Sequence, residues 1–379
     1  MTAALQIRGA VLEAPGMPLA LQDLELEAPR EHEIRVRVVA SGVCHTDLSV
    51  MTRPFPAEQP IVLGHEGAGI VESVGTAITK VQPGERVLMS YNSCGRCNTC
   101  LARAPSYCQY FFGTNFLGQR ADGSTALSRR GSPVRHHFFG QSSFATHCLC
   151  TERNVVKVPE GVSDELFPLL GPLGCGLQTG AGAIINVLQP RPGESVAVFG
   201  VGAVGLAALM AARALGATRI IAVDRVRERL ELALELGATD ALLAGGSLNT
   251  VAEIRRLTAL DGGLGVNVSL DTTAVSAVLR QAIDSLGPLG RCGFVGGAPA
   301  GSTLEVDVRD MMLQGKSLRG IVEGDSNADV FIPALIRMHA QGLFPFDKLV
   351  RTYPLAQIQT AIDDALSGRT VKPVVMMPA

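Results

Sequence analysis

The chain of 379 residues has no tryptophan, and all aromatic rings together make up only 4% of it. It also lacks a long uncharged apolar run. Its most hydrophobic stretch, Leu206 to Ala217, is too short to span a bilayer and carries Arg213, which argues against a membrane-spanning segment. Neither sign of charge is in excess. With 33 Lys and Arg against 35 Asp and Glu, the net charge of -2 offers no attraction for nucleic acid or an anionic membrane. The opening residues show no basic stretch followed by an apolar one, so no secretory signal is expected. Internal repeats and low-complexity tracts are missing too. These absences lead to the expectation of a soluble, cytoplasmic protein with reduced thiols.

Apolar residues, by contrast, make up 47% of the chain, and there are 42 glycines. That is enough for a large core and more than one domain, with many tight turns. The first half reads as short strands. "EIRVRVVASGV" alternates from Ile34 to Val38 and is expected to turn at Ser41-Gly42; "GHEGAGIVESVG" and "GERVLMS" continue the pattern. From Gln119 to His137 a polar stretch reads as a functional surface loop or interface, which makes His136 and His137 solvated or interfacial rather than catalytic.

The texture changes near Gly176. Strands "SVAVFG", "RIIAVD", "DALLA", "VNVSLDT", "GRCGFVGG" and "KSLRGIV" alternate with amphipathic helices. Six strands so arranged predict an α/β fold with a parallel, doubly wound Rossmann sheet. After about Gly320 the pattern changes again. The expected layout is a discontinuous, mostly β domain (1–176 and 321–379) with a dinucleotide-binding domain (177–320) inserted in it.

Within "VAVFGVGAVGLAA", Gly200, Gly202 and Gly205 have G-x-G-x-x-G spacing, with Ala203 and Val204 between the last two. The strand Val196 to Phe199 precedes the turn and a helix follows it, so the context fits a pyrophosphate-binding turn. Asp224 ends the next strand, where a carboxylate accepts bonds from ribose hydroxyls. A 2′-phosphate there would be repelled by about 4 kcal/mol at ~4 Å and an effective dielectric near 20. NAD is therefore expected rather than NADP, although the neighbouring Arg225 could turn towards a 2′-phosphate.

Four of the nine cysteines fall in "SCGRCNTCLARAPSYC": Cys94, Cys97, Cys100 and Cys108. Four thiolates can close a tetrahedral shell around Zn²⁺, which leaves no position for substrate. An iron–sulfur cluster uses the same donors, and spacing alone does not exclude it. A disulfide pair is disfavoured in a reducing compartment. The dinucleotide fold and a second constellation favour zinc. That constellation is dispersed: Cys44 in "GVCHTD", His65 and Glu66 in "GHEGAG", and Cys175 in "GPLGCGLQTG". Two thiolates and an imidazole with an open fourth position match a catalytic zinc site. Cys148, Cys150 and Cys292 sit in apolar strands and read as buried thiols. His339 suggests no partner.

Taken together, "GHEGAGIVESVGTAI", "CGRCNTCLARAPSYC", "GVCHTD" and "GVGAVG" resemble the zinc-dependent alcohol dehydrogenases of the medium-chain dehydrogenase/reductase family over nearly the whole chain. "GPLGCGLQTGAGA" and "VLMSYNSCGRC" are most similar to the aryl-alcohol (benzyl alcohol) branch. The resemblance implies a GroES-like, barrel-shaped catalytic domain, a nucleotide domain, and a cleft between them with one catalytic zinc; a second, structural zinc completes two per subunit. It implies Cys44, His65 and Cys175 as ligands, Glu66 as an occasional ligand or a partner behind the metal, and Asp47 as the carboxylate that orients His65. Thr46 matches a hydroxyl that contacts the substrate alcohol. His45 and Lys372 match basic positions near the cofactor pyrophosphate, and Arg229 one near the ribose. Phe294, Val295 and Gly296 would flank the nicotinamide. Ser49 stands where many relatives end the proton relay with histidine; lacking a pKa near neutrality, it can pass a proton but cannot be its terminal base. Ser90 and Tyr91 fall near the expected substrate channel.

The activity so implied is reversible, zinc- and NAD-dependent oxidation of a primary alcohol, aryl or allylic, to its aldehyde, by a homodimer or homotetramer. Hydride passes from the alkoxide to nicotinamide. Polyol or formaldehyde–thiol-adduct oxidation is the nearest alternative. A non-catalytic NAD-binding redox sensor is more distant, since sensing needs no open metal site. A nucleic-acid module is disfavoured, with only Arg96 and Arg103 near the four cysteines.

Overall fold

A computed structural model of the chain describes residues 4–52 and 57–378. Alternating burial along Ile34–Gly42 sets the first sheet, with Ile34, Val36 and Val38 facing a core shared with Val71, Val87 and Val155. The strand does not turn at Ser41-Gly42 as expected. Ser41 pairs with Gly67 on one side, and Gly42 pairs with Val374 on the other, so the ladder keeps the backbone extended. The tail "VKPVVMM" supplies that partner as strand Lys372–Met376, which also runs parallel to Val350–Pro354.

Two compact units result. The first runs to Cys175 and takes up Asn327–Ala334 and the residues from Asp347 onward; the second comprises Gly176–Ser326 and Leu335–Phe346. The first stretch of the second unit ends at Ser326, whose hydroxyl lies 2.8 Å from Gln178 Oε1 in helix Gly176–Gly182.

The first unit carries a five-stranded and a seven-stranded sheet. The second carries six parallel strands: Ser195–Phe199, Arg219–Asp224, Asp240–Leu243, Val266–Asp271, Leu286–Phe294 and Ser317–Gly320. Their spatial order is third, second, first, fourth, fifth, sixth, the doubly wound arrangement. The register Phe199↔Asp271↔Phe294 aligns the carboxyl ends, so the glycine turn opens at the switch point between the first and fourth strands.

Residues 119–137 keep exposed turns at 121–123 and 130–133, as expected of a surface loop, but they are not structureless and their two histidines are not solvated. Leu127–Arg129 and Ser132–Val134 form a hairpin, and the hairpin leads into two buried histidines. His136 and His137 pack edge to face at 4.4 Å. Both ring nitrogens of His136 and Nε2 of His137 lack a hydrogen-bond partner. Burial pushes His137 down to about 4, and it holds His136 well below the ordinary imidazole range. Unfolding at mildly acid pH lets these rings bind protons that the folded state refuses. Their contribution is therefore full above about pH 6.5 and is lost as pH falls towards 4. For His137 that interval is worth roughly 3 kcal/mol. Urea midpoints measured between pH 7.5 and 4 should fall more steeply for the natural protein than for His137→Gln. Parallel curves would contradict this assignment.

Candidate active site and metal centres

The first centre is built by turns at the ends of central strands of the seven-stranded sheet. Cys44 precedes helix His45–Thr52, whose first turn carries the buried Asp47. Asp47 accepts from the backbone N–H groups of Cys44 and Gly64, each at 3.0 Å, and its Oδ1 lies 3.1 Å from His65 Nδ1. A carboxylate can only accept, so Nδ1 carries the proton. Nε2 is the other ring atom, buried and without a hydrogen-bond partner. One ligand atom each from Cys44, His65, Glu66 and Cys175 lies within 4.8 Å of the others. A hydrogen bond from the Cys175 thiol, together with the nearby His65, holds Cys44 well below the usual thiol range despite burial. Burial would lower the His65 pKa, but Asp47 and Cys44 outweigh it and hold it well above the imidazole value. A divalent cation would take the place of the proton these groups share, and soft sulfurs with an imidazole suit zinc.

Glu66 belongs to the cluster, but both of its oxygens bind Lys372 Nζ, at 3.0 and 2.9 Å. Burial raises its pKa to about 7, against the pull of the ammonium. Lys372 also donates to the Val43 carbonyl at 3.0 Å and is itself buried. In this structure its observed role is to hold Glu66. Nothing in the spacing of a strand residue so far along the chain signals that pair.

Three neighbours were not anticipated in these roles. Gln141 Nε2 donates to the carbonyls of His65 and Ser90, at 3.0 and 3.1 Å, while its Oε1 accepts from Gly67 N–H, so it brackets Glu66. Ser90 Oγ donates to the Gly174 carbonyl at 2.6 Å and ties down the residue before Cys175. Phe139 stacks on the His65 ring. The run "HHFFG" was the only sequence signal for it. Thr46 Oγ1 lies 3.8 Å from Cys44 Sγ, whereas Ser49 is half-buried one turn further along and His45 is exposed.

The second centre is the four-cysteine lobe. All nine cysteines are free thiols. Cys94 and Cys100 sulfurs lie 4.0 Å apart, as do those of Cys97 and Cys108. A tetrahedron with Zn–S arms of about 2.3 Å has edges of about 3.8 Å. Backbone N–H groups of Cys97 and Tyr110 point at Cys94 and Cys108 sulfurs, at 3.3 and 3.4 Å, as they would at thiolates. Four adjacent thiols cannot all ionise unaided. The Thr99 hydroxyl draws Cys97 down to about 5, and burial pushes Cys100 up to about 12. The donor set therefore fits a cation. Cys148, Cys150 and Cys292 are buried thiols, as expected, and the His339 ring packs on Phe346.

In the second unit, Gly200 has φ +84°, and a Cβ on Gly205 would strike the Gly200 carbonyl oxygen. A Cβ on Gly202 would meet nothing within 4 Å, which leaves room for a phosphate to approach. Ala203 and Val204 begin the helix. Asp224 accepts from Val201 N–H at 2.7 Å and Val226 N–H at 2.9 Å; Arg229 lies 4.0 Å from it, and Arg225 is exposed. Phe294, buried Val295 and Gly296 (φ +106°) lie at the end of the fifth strand. Among the described residues no helix is long and apolar enough to cross a membrane.

Together the fold and these donor sets define an oxidoreductase of the zinc-binding alcohol dehydrogenase class. Residues 30–160 match the alcohol dehydrogenase GroES-like domain, and residues 203–339 match the zinc-binding dehydrogenase domain. The chain is 43% identical to geraniol dehydrogenase of Castellaniella defragrans over 98% of both chains. Among solved structures it is similar to an alcohol dehydrogenase zinc-binding domain protein of Burkholderia ambifaria, at 48% identity and TM-score 0.95, covering 99% and 100% of the two chains. It is also similar to benzyl alcohol dehydrogenase of Acinetobacter calcoaceticus, at 45% identity, TM-score 0.93 and the same coverage. The chain belongs to the zinc-type alcohol dehydrogenases of the medium-chain dehydrogenase/reductase family.

Proposed function

We propose that the chain oxidises a primary aryl or allylic alcohol reversibly to its aldehyde, with NAD as hydride acceptor. The reading rests above all on Cys44, His65 and Cys175 converging with His65 Nε2 left unpartnered. Those three residues would hold one zinc, and Cys94, Cys97, Cys100 and Cys108 a second. When bound, the first zinc supplies a Lewis acid for the alcohol oxygen, and NAD accepts the hydride. Thr46 Oγ1 takes the alcohol proton and orients the hydroxyl. Ser49, three residues along the same helix, passes that proton to water. Asp47 fixes the His65 tautomer, and Lys372 keeps Glu66 turned aside. The dinucleotide would lie over Gly202, with its ribose on Asp224, Arg229 beside it and the nicotinamide near Phe294–Gly296. The relatives' action on geraniol and benzyl alcohol supports the substrate class.

Following NADH absorbance should show kcat/KM for benzyl, cinnamyl and geranyl alcohols at least about a hundredfold above ethanol, a gap of roughly 2.7 kcal/mol in transition-state binding. A polyol or a formaldehyde–thiol adduct as best substrate would overturn the assignment. For the cofactor, Asp224→Ala should raise the KM for NAD and narrow the NAD/NADP ratio of kcat/KM by about tenfold or more, since it removes like-charge repulsion. An unchanged ratio would count against the role given to Asp224.

A further inference from the structure

His65 is held from two sides by different physics. Asp47 fixes its edge through Nδ1, and the Phe139 ring covers its face at 4.5 Å between centroids with the planes 26° apart. Phe139 reaches that position at a cost, because its backbone sits at φ 52°, ψ 31°, in the left-handed region that bulky residues avoid. Such a conformation persists only where surroundings over-determine it, and here they do. Asn154 Nδ2 donates to the carbonyls of Phe139 and Gly140, at 3.3 and 3.1 Å. Ser142 Oγ accepts from Phe138 N–H at 3.0 Å and donates to the Val62 carbonyl at 2.6 Å.

Phe139 also meets helix Phe111–Phe116. Phe116 lies edge to face at 5.0 Å, and Phe111 lies at 6.4 Å with the planes at 90°. Phe111 in turn packs against the buried Cys97, Cys100 and Cys108. The helix is fastened at its other end, where Asn115 exchanges hydrogen bonds with the Asn92 backbone at 2.7 and 2.9 Å. An unbroken file of rings therefore runs from the four-cysteine lobe to the face of His65. Face-to-face ring contact restrains rotation about the ring normal poorly but restrains tilt well, which complements the in-plane bond to Asp47.

We propose that Phe139 is a positioning residue for His65, and that the Phe111–Phe116–Phe139 file makes the four-cysteine lobe the distant support of that imidazole. The lobe then sets the tilt of a ligand in the other centre as well as stabilising its own loop. This rests on reading Cys44, His65 and Cys175 as a metal centre.

The test uses the full-length, zinc-loaded protein and measures zinc lost from each centre to a chelator, alongside kcat and KM. Phe139→Leu keeps an apolar side chain of somewhat smaller volume and removes the flat face. It should speed zinc release from the Cys44 centre by about 10–100-fold, the size typical of losing a group that orients a metal ligand. Release from the four-cysteine lobe and the melting temperature should stay near natural values. Phe139→Tyr keeps the ring and should restore slow release. Phe111→Leu should act in the same direction, and its effect should not multiply with that of Phe139→Leu in the double variant. Release from the Cys44 centre unchanged in Phe139→Leu overturns the positioning role. Purely multiplicative effects of the two changes overturn the link to the lobe. A Cys44→Ser variant that retains as much zinc per chain as the natural protein would overturn the metal reading itself, an outcome distinct from both.

Discussion

Cys44→Ser is expected to abolish most alcohol oxidation while leaving the fold intact. A Lewis acid supplies several kcal/mol of transition-state stabilisation, so its loss should lower kcat/KM by about two to three orders of magnitude or more. The cause lies in the geometry. Cys44 is one of only two sulfurs in its centre, and a hydroxyl is a harder, less acidic donor that does not ionise near neutral pH. Serine at this position also leaves the Cys44 N–H to Asp47 bond in place, so His65 stays oriented. Zinc content should fall by one ion per chain, and the melting temperature should move by only a few degrees. Near-natural turnover with that ion gone would falsify the catalytic role.

Cys97→Ser should reverse this pattern, with the larger effect on stability. The lobe is short of other supports: its two longer elements are helices of four and six residues, Asn98–Leu101 and Phe111–Phe116, too short to be stable alone. Four sulfurs about one cation would substitute for the core such a segment cannot build. Loss of a structural metal belongs among the few single changes that cost more than about 4 kcal/mol. At roughly 2–4 °C per kcal/mol for a unit of this size, the melting temperature should drop by about 8–16 °C. An unchanged melting curve would remove the structural assignment. A visible chromophore in the natural protein would instead mark an iron–sulfur cluster in the lobe.

Much of this was readable from the chain because the informative groups sit in local patterns. The six parallel strands follow from apolar runs bounded by turn residues. The three glycines of the G-x-G-x-x-G turn stand within a few residues of one another. The cysteine lobe is legible for the same reason. The solvated reading of His136 and His137 fails because a polar local sequence, "SRRGSPVRHH", says nothing about what packs over it. Only the tertiary packing buries them. Gln141, Phe139 and the Lys372–Glu66 pair escaped for a related reason. Each acts through partners far off in sequence, and their residue types are common. The extended backbone at Ser41-Gly42 was missed because a small-residue pair reads as a turn until two strands claim its hydrogen bonds.

The Lys372–Glu66 ion pair joins residues 306 positions apart. At synthesis rates of roughly 5–20 residues per second, Glu66 emerges from the ribosome about 15–60 s before its counter-ion exists. During that interval one of the strands that pair with Ile34–Gly42 is also missing, whereas by its end the whole second unit has been made. The nascent chain can therefore complete its second unit before its first, whose seven-stranded sheet stays unfinished until residues 372–376 arrive.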